Sequence, residues 1–354
     1  MSIPSSPVDS LRRATQFDTN GAYRRILADE KISTPLAAIL ALTELIEQSN
    51  AGTMFELVQA LHEGAEALRK QYTNSISIDA GCELFIAFVT LFPHESASFN
   101  DLKIELVKQG REYANEALSY REKIAQQALG FIKDGSVILT HSYSRVVLQA
   151  LLLAHKQKRI SVYVTEARPR GLGLDRIKTQ EALTAAGIPC TVVLDSAVAY
   201  VMDKVDLVLV GSEAVVESGG LINAVGSNQM AIIAKAANKP VYAMAESYKF
   251  HRLFPLSQYD LPTHTSDILS FPRQPARPFV SKSLPSSPIK PTAAQTHPSS
   301  HATFFSEFQM TPEQIRLNPE VDYTRPDLIS LVFSDVGILT PEGVSQYLVG
   351  MFAG

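Results

Sequence analysis

Apolar residues recur at spacings of three and four through the first third of the chain, from about Ala22 to Gly130. This is the period of amphipathic helices, and Thr34-Pro35 adds the signature of an N-cap followed by proline in the first turn. The further helices predicted are Met54–Gln71, one beginning near Asp79, and a long one over Phe99–Ile132. We therefore predict a helical domain at residues 21–133, after a flexible stretch at residues 1–20.

The pattern changes at Asp134-Gly135, where short apolar runs begin to alternate with helix-period segments. The runs typical of strands are Val137–Thr140, Ser161–Thr165, Cys190–Leu194, Leu207–Val210, Val241–Ala245 and Ile329–Phe333. The helices between or after them are Ser144–Lys156, Leu174–Ala186, Ala197–Met202, Val225–Asn238 and one from Pro341. This alternation predicts an α/β fold with a Rossmann-like, doubly wound, mostly parallel sheet over residues 134–354.

The alternation is interrupted at residues 263–310, which are dense in proline, serine, threonine and lysine and show little apolar periodicity. Such a composition cannot bury enough apolar surface to offset the entropy lost on ordering. We predict a disordered insertion there, either a tolerated surface segment or a docking segment.

Composition narrows the class of protein. Of 354 residues, 45% are hydrophobic, and a formal net charge of −4 offers no general attraction to nucleic acid or anionic lipid. The two cysteines, Cys82 and Cys190, are far apart and lack neighbouring histidines, which argues against a zinc site or a disulfide framework. No apolar stretch has the length of a signal peptide core or a bilayer span. We expect a cytosolic protein without metal or membrane contacts.

Candidate chemistry follows the first predicted strand. Ligands bind beyond the carboxyl ends of the strands in an open parallel sheet, and His141, Ser142 and Arg145 stand there at the start of a helix. Hydroxyls, backbone N–H groups and a guanidinium suit an anion such as a sugar phosphate. An equally good account has Ser144 capping the helix and His141 satisfying a buried backbone group.

The second strand end carries Arg168 and Arg170 on a glycine-bearing loop. Two guanidinium groups could clamp a phosphate, or simply lie at the surface beside a turn. The following sequence, GLGLDR, lacks the third glycine of a dinucleotide-binding loop, so a nicotinamide site is not predicted.

A third candidate is the loop Gly211–Gly226, which follows the fourth strand. Its Glu213 and Glu217 are either acid/base groups or solvated carboxylates, and its Gly219-Gly220 pair permits close approach to a ligand or a tight connection. Asp195 and Asp322 lie beside two further strand ends and are candidates to line the same pocket. The chain contains no nucleophile elbow, phosphate-binding loop or zinc-protease motif.

Five long segments carry a family resemblance: ILTHSYSRVV at 138–147, SVYVTEARPRG at 161–171, and residues 191–231, 242–262 and 321–341. Together and in this order they resemble the alpha, beta and delta subunit family of initiation factor 2B. The resemblance extends from about Tyr23 to the end of the chain, apart from the insertion.

The resemblance implies a helical N-terminal domain followed by a Rossmann-like domain, in agreement with the patterns above. It also implies a regulatory subunit that forms a homodimer and bridges two copies of the beta, gamma, delta and epsilon subunits of a complex. That complex exchanges guanine nucleotide on initiation factor 2. By the same resemblance, the helical domain helps the complex recognise initiation factor 2 whose alpha subunit is phosphorylated under stress.

The family also includes isomerases of methylthioribose 1-phosphate and ribose 1,5-bisphosphate, which use a cysteine and an aspartate. By resemblance, Ser142 stands at the cysteine position and Gly220 at the aspartate position. We expect no efficient isomerisation, because a serine is a weaker nucleophile than a thiolate and glycine transfers no proton. The residues left for a vestigial anion pocket, which could take a sugar phosphate or nucleotide as a regulatory ligand, are His141, Ser142, Arg145, Arg168, Arg170, Gly219 and Gly220.

Overall fold

A computed structural model describes residues 17–72, 74–93, 98–168, 174–271 and 310–352. The chain divides into two units, one of residues 1–264 with 320–354 and the other of residues 265–319. The first unit contains both a helical part and a sheet part. In the second, a short helix, Pro312–Arg316, begins with a capping box between Thr311 and Gln314.

The helical part confirms the predicted helical periodicity. Its helices are α1 (Thr19–Leu27), α2 (Thr34–Gln48), α3 (Met54–Gln71), α4 (Ile76–Leu91), α5 (Phe99–Ala117) and α6 (Tyr120–Leu129). Leu42, Leu57, Leu61 and Leu106 are fully buried in their shared core. The prediction of a single helix over 99–132 is wrong, because the helix is interrupted near Ser119. The hydroxyl of Ser119 donates to the carbonyl oxygen of Glu116 (2.7 Å).

The main sheet confirms the predicted fold class. Its strands are β1 (Ser136–His141), β2 (Ile160–Thr165), β3 (Cys190–Val193), β4 (Leu207–Val210), β7 (Val241–Met244), β10 (Leu331–Ser334) and β11 (Gly337–Leu339). They lie in the order β11-β10-β7-β4-β1-β2-β3, and all neighbours are parallel except β10 and β11. The helices that follow its strands are α7 (Arg145–His155), α8 (Leu174–Ala185), α9 (Val198–Val201), α10 (Ser227–Ala236) and α12 (Pro341–Phe352), with α11 being Pro312–Arg316 of the second unit.

Side chains alternate between the two faces of this sheet, so both faces are covered. Ile138 and Leu207 join a cluster with residues of α6, α7 and α8. Their neighbours Leu139 and Val208 join the opposite cluster, with residues of α9, α10 and α12. This arrangement is the double winding that the sequence predicted.

A second, smaller sheet was not predicted. Its strands are β5 (Ala214–Val216), β6 (Leu221–Ala224), β8 (Phe250–His251) and β9 (Val321–Thr324), in the order β8-β5-β6-β9. The prediction that residues 211–226 form a loop is therefore wrong, since they contain an antiparallel pair of strands. β5 and β6 are buried at every position, so they lack the alternation that marks a half-buried strand.

Several observed boundaries differ from the predicted ones by one to three residues, and two of these differences have a local cause. The helix predicted from Val225 begins at Ser227, because Gly226 adopts a φ of 108° that no helix contains. The strand predicted at Ile329–Phe333 is Leu331–Ser334, because a short 3₁₀ turn at Pro326–Leu328 precedes it.

The predictions for residues 1–20 and 263–310 fall mostly outside the described residues, which begin at 17 and are interrupted from 272 to 309. The domain boundary at 133/134 stays a prediction. Within the described ranges, no helix is both long and apolar enough to cross a bilayer, and no group of three or more histidine, cysteine, aspartate or glutamate side chains could hold a metal ion.

Candidate functional site

The strand order of the main sheet reverses at β1, because β2 and β3 lie on one side of β1 and β4, β7 and β10 lie on the other. Ligands of open α/β sheets bind at such a point, beyond the carboxyl ends of the strands. A cavity of about 720 Å³ lies there, which we call the switch-point cavity. Its lining includes Glu30, Ser33, Thr34, Pro35 and Ser77 of the helical part, and Tyr143, Ser144, Arg145, Lys178, Glu181, Ser212, Glu213, Asn223, Glu246 and Lys249 of the sheet part.

His141 ends β1 and is buried, with 2% of its surface exposed. Its Nε2 lies 2.9 Å from the carbonyl oxygen of Val225, which can only accept, so Nε2 carries the hydrogen. Nδ1 lies 2.5 Å from the hydroxyl of Thr165 and accepts from it. Burial lowers the pKa of His141, although the charge of Asp195 acts in the opposite direction. The imidazole is thus neutral, and its two hydrogen bonds connect β1 to β2 and to the segment before α10.

Ser142 follows with a φ of 57°, in the left-handed region that residues other than glycine seldom adopt. Its carbonyl oxygen accepts a hydrogen bond from the hydroxyl of Thr179 (3.1 Å). Ala167, the second residue after β2, also has a positive φ of 52°. Backbone strain of this kind clusters at ligand and catalytic sites, and here it occurs at two adjacent strand ends.

Arg145 lines the switch-point cavity at the start of α7. Its Nη1 donates to the carbonyl oxygens of Glu30 (2.6 Å) and Ile32 (3.0 Å), which lie in the turn before α2. Burial lowers the pKa of this guanidinium from its usual value. Part of its hydrogen-bonding capacity therefore joins the sheet part to the helical part.

The other predicted residues lie elsewhere. Arg168 is 69% exposed and pairs with Glu166 (3.1 Å), while its backbone N–H donates to Asp195. Arg170 lies outside the described residues. Gly219 and Gly220 form the turn between β5 and β6, where a Cβ on Gly219 would lie 2.2 Å from the carbonyl oxygen of Pro341.

The cavity lining contains Arg145, as predicted, together with Ser144 and Glu213. It contains neither His141 nor Ser142, and neither Arg168 nor the glycine pair. Binding of a ligand by the predicted residues stays a prediction.

The sequence that forms the helical part and the doubly wound sheet matches a known family. The model of the Initiation factor 2 subunit family matches residues 29–341. The chain belongs to this family.

Two similar relatives are each named translation initiation factor eIF2B subunit alpha. The one from Dictyostelium discoideum is 38% identical over 331 residues, and the one from Caenorhabditis elegans is 34% identical over 334 residues. Each alignment covers 92% of this chain and 94% of the relative. A ribose 1,5-bisphosphate isomerase from Methanocaldococcus jannaschii is 29% identical over 71% of this chain and 70% of its own length.

Among solved structures, the tetrameric eIF2B-beta2-delta2 complex from C. thermophilum contains a chain of the same fold. The match has a TM-score of 0.67 at 17% identity and covers 97% of this chain and 94% of that one. The initiation factor 2 subunit family therefore accounts for the combination of a helical part with a doubly wound sheet.

Sequence reasoning missed most of the charged groups of the cavity in this family member, and Glu246 is the most buried of them. Glu246 is the second residue after β7, is 1% exposed, and pairs with Arg121 (3.1 Å) and Lys249 (2.9 Å). Burial alone would raise its pKa, but the charges of Lys249 and Arg121 outweigh burial and hold it at about 2. The signal was present in the sequence, because Glu246 occupies a strand end as the predicted site residues do.

Asp322, which the sequence placed beside a strand end, lies outside the cavity lining and organises the start of α10. Its Oδ2 accepts from the N–H groups of Gly226 (2.7 Å) and Asn228 (3.0 Å). Its Oδ1 is buried and has no hydrogen-bond partner among the described residues. Burial raises the pKa of this carboxyl to about 7. A Cβ on Gly226 would lie 2.8 Å from Cε1 of His141, so this turn packs tightly against the end of β1.

Charges of both signs line the cavity. The carboxylates are Glu30, Glu181, Glu213 and Glu246, and the cations are Arg145, Lys178 and Lys249. The first turns of α2 and α7 also border the cavity, and neither Ser33 nor Ser144 caps its helix through a side-chain hydrogen bond. Helix N-termini with a nearby lysine attract phosphate, and carboxylates accept hydrogen bonds from hydroxyls.

Proposed function

We propose that this chain is the alpha-type regulatory subunit of the complex that exchanges guanine nucleotide on translation initiation factor 2. The observation that carries the proposal is the end-to-end similarity to two proteins named eIF2B subunit alpha, which covers 92% of this chain and 94% of each relative. By extension from the family resemblance, the subunit acts in the cytosol and helps the complex respond to initiation factor 2 with a phosphorylated alpha subunit.

The proposed role in assembly has a candidate surface. Leu194, Tyr200 and Ile232 are large apolar side chains with exposures of 56%, 84% and 50%. Leu194 and Tyr200 belong to the segment around α9, and Gln229 of α10 donates to the carbonyl oxygen of Asp195 in that segment (3.3 Å). Exposed apolar clusters are typical of subunit interfaces. We assign homodimerisation to this face, and binding of the beta and delta subunits to the resulting dimer.

The proposed role is regulatory rather than catalytic. By the family resemblance, Ser142 offers a hydroxyl where the related isomerases use a thiolate. A Cβ on Gly220 would lie 2.4 Å from the ring of Tyr323, so an acidic side chain would not fit there without displacing that ring. Both features support loss of isomerisation.

The alternative is an isomerase, or a pseudoenzyme that binds a sugar phosphate. The similarity to a ribose 1,5-bisphosphate isomerase favours a ligand in the switch-point cavity. The volume of about 720 Å³ and the mixture of Lys178, helix N-termini and carboxylates suit a sugar phosphate or a nucleotide. As a regulatory ligand it would stabilise the dimer by mass action.

The experiment that tests the role is reconstitution. Purified chain is mixed with the beta, gamma, delta and epsilon subunits, and release of labelled GDP from initiation factor 2 is followed with and without phosphorylated factor. We expect inhibition by the phosphorylated factor only when this chain is present. A chain that neither binds the other subunits nor changes the inhibition would contradict the proposal.

Isomerisation is tested separately with both sugar-phosphate substrates. We expect no turnover by the wild-type chain. Sustained turnover that Ser142→Ala abolishes would establish the alternative.

A further inference from the structure

A second cavity lies in the helical part, away from the switch point. Its volume is about 670 Å³, and we call it the α4–α5 cavity. The residues that line it are Ile39, Leu84, Phe85, Ala87, Phe88, Leu91, Phe92, Pro93, Gln109, Gly110, Glu112, Tyr113, Glu116 and Met351. None of them lines the switch-point cavity. The volume is that of a site for a drug-sized molecule.

The wall formed by α4 is unusually apolar. The helix reads ISIDAGCELFIAFVTL, so apolar side chains surround most of its circumference. A helix of this kind is normally buried on all sides, yet Leu84 and Phe88 are only partly covered and Leu91 is 51% exposed. The rings of Phe88 and Phe92 meet edge to face with centroids 5.5 Å apart, which gives the wall a fixed aromatic surface.

The mouth of the cavity carries two exposed carboxylates, Glu112 and Glu116, and one of them forms no ion pair with another described residue. On α5, Lys108 pairs with Glu105 (3.7 Å) and Arg111 pairs with Glu47 (2.6 Å). Glu116, at the mouth, pairs with Lys123 (3.2 Å). Glu112 forms no ion pair within the described part of the chain, although it stands beside these cations in sequence.

We propose that the α4–α5 cavity is a binding site for a small molecule that has an apolar ring system and one cationic group. The rings of the ligand lie against Leu84, Phe88 and Leu91, where they displace water that apolar walls bind poorly. The cation lies at the mouth, within the field of Glu112. The cavity is distinct from the switch-point cavity, so its occupant differs in chemistry from a sugar phosphate.

The test uses the full chain and three matched probes: 2-naphthylmethylammonium, the neutral 2-naphthylmethanol, and the anionic naphthalene-2-sulfonate. Binding is followed through the ¹³C-labelled methyl groups of the seven methionines, with Met351 assigned by Met351→Leu. We expect the ammonium probe to shift the Met351 methyl saturably, the neutral probe to bind more weakly, and the sulfonate to bind least.

Ala87→Trp fills the cavity from its wall and should weaken binding of the ammonium probe roughly tenfold or more. Ala185→Trp, at an exposed position of α8, is its control. Because the chain contains no tryptophan, fluorescence of each variant reports whether the new side chain is buried, and blue-shifted emission is expected only for Ala87→Trp. Glu112→Gln should weaken the ammonium probe about threefold and leave the neutral probe unchanged, whereas Glu63→Gln on α3 should change neither.

Several results would overturn the proposal. They are the absence of a saturable Met351 shift with every probe, equal binding by the Ala87→Trp variant, and a sulfonate that binds as well as the ammonium. If the Met351 methyl responds only to purified beta or delta subunits of initiation factor 2B, the cavity is a protein interface and the small-molecule assignment is wrong.

Discussion

Replacing Glu246 by glutamine tests whether a buried ionic network joins the two parts of the first unit. The side chain of Glu246 is 2% exposed, and the side chains of its partners Arg121 and Lys249 are 14% and 15% exposed. Arg121 also donates to the carbonyl oxygen of Lys31 (3.1 Å), in the turn before α2. Removal of the negative charge leaves two cations in a region that water scarcely reaches.

Two arguments give similar magnitudes. Removing one member of a buried ion pair typically costs about 3–5 kcal/mol, because the remaining charge is uncompensated. Independently, the pKa of Glu246 falls from 4.5 to about 2, and about 2.5 units at 1.36 kcal/mol per unit correspond to about 3 kcal/mol. We expect Glu246→Gln to lower the free energy of unfolding by about 3 kcal/mol at neutral pH.

The direction of the pKa shift determines how the stability that Glu246 contributes depends on pH. Because the folded-state pKa of Glu246 is depressed, its contribution is present above the unfolded-state pKa near 4.5 and is lost as pH falls toward 2. Urea denaturation followed by circular dichroism, at a series of pH values, should show wild type and Glu246→Gln converging in acid. The control is Glu116→Gln, whose carboxylate is 62% exposed and whose loss should cost less than about 1 kcal/mol. A Glu246→Gln variant as stable as the control at neutral pH would refute the reasoning.

Three further perturbations have defined outcomes. The folded-state pKa of Asp322 is raised to about 7, so the wild type should lose stability as pH rises from about 4 through 7. Asp322→Asn should remove this loss, which amounts to up to about 4 kcal/mol in urea denaturation. Parallel pH profiles of the two proteins would contradict this prediction. Gly226→Ala should destabilise the chain by about 2 kcal/mol more than Gly337→Ala. Both glycines have a positive φ, but only at Gly226 would a new Cβ press against His141. Equal melting curves of the two variants would count against the close packing of Gly226 on His141. Tyr200→Glu should convert a dimer to a monomer in sedimentation velocity without changing the unfolding midpoint at matched low concentration, and a persistent dimer would place the interface elsewhere.

Six strands of the main sheet were predictable because they are short runs rich in apolar residues and separated by helices, whereas β11 (Gly337–Leu339) was not predicted. Leu207–Val210 was predicted at its observed bounds. The small sheet was not predictable in the same way, because Ala214–Val216 has only three residues, all buried, and pairs with Phe250 and His251 far along the chain. A strand of that length has no period of its own, and only the tertiary fold defines it.

The candidate site, like the fold, was predictable only in part from the sequence. Strand ends located the switch-point cavity, since the position of Ser144 and Arg145 follows from chain direction alone. What Arg145 contacts could not be predicted, because its partners Glu30 and Ile32 lie more than a hundred residues earlier in sequence. The perturbed pKa values of Glu246 and Asp322 likewise depend on burial and on neighbours that only the fold brings together.

The most direct test of the central claim is the rate of GDP release from initiation factor 2 by the reconstituted complex, measured with and without this chain. The account predicts that adding the chain makes exchange sensitive to initiation factor 2 phosphorylated on its alpha subunit, and that the chain alone releases no GDP. Exchange that is equally inhibited in the absence of the chain, or GDP release by the chain alone, would contradict its assignment as a regulatory subunit.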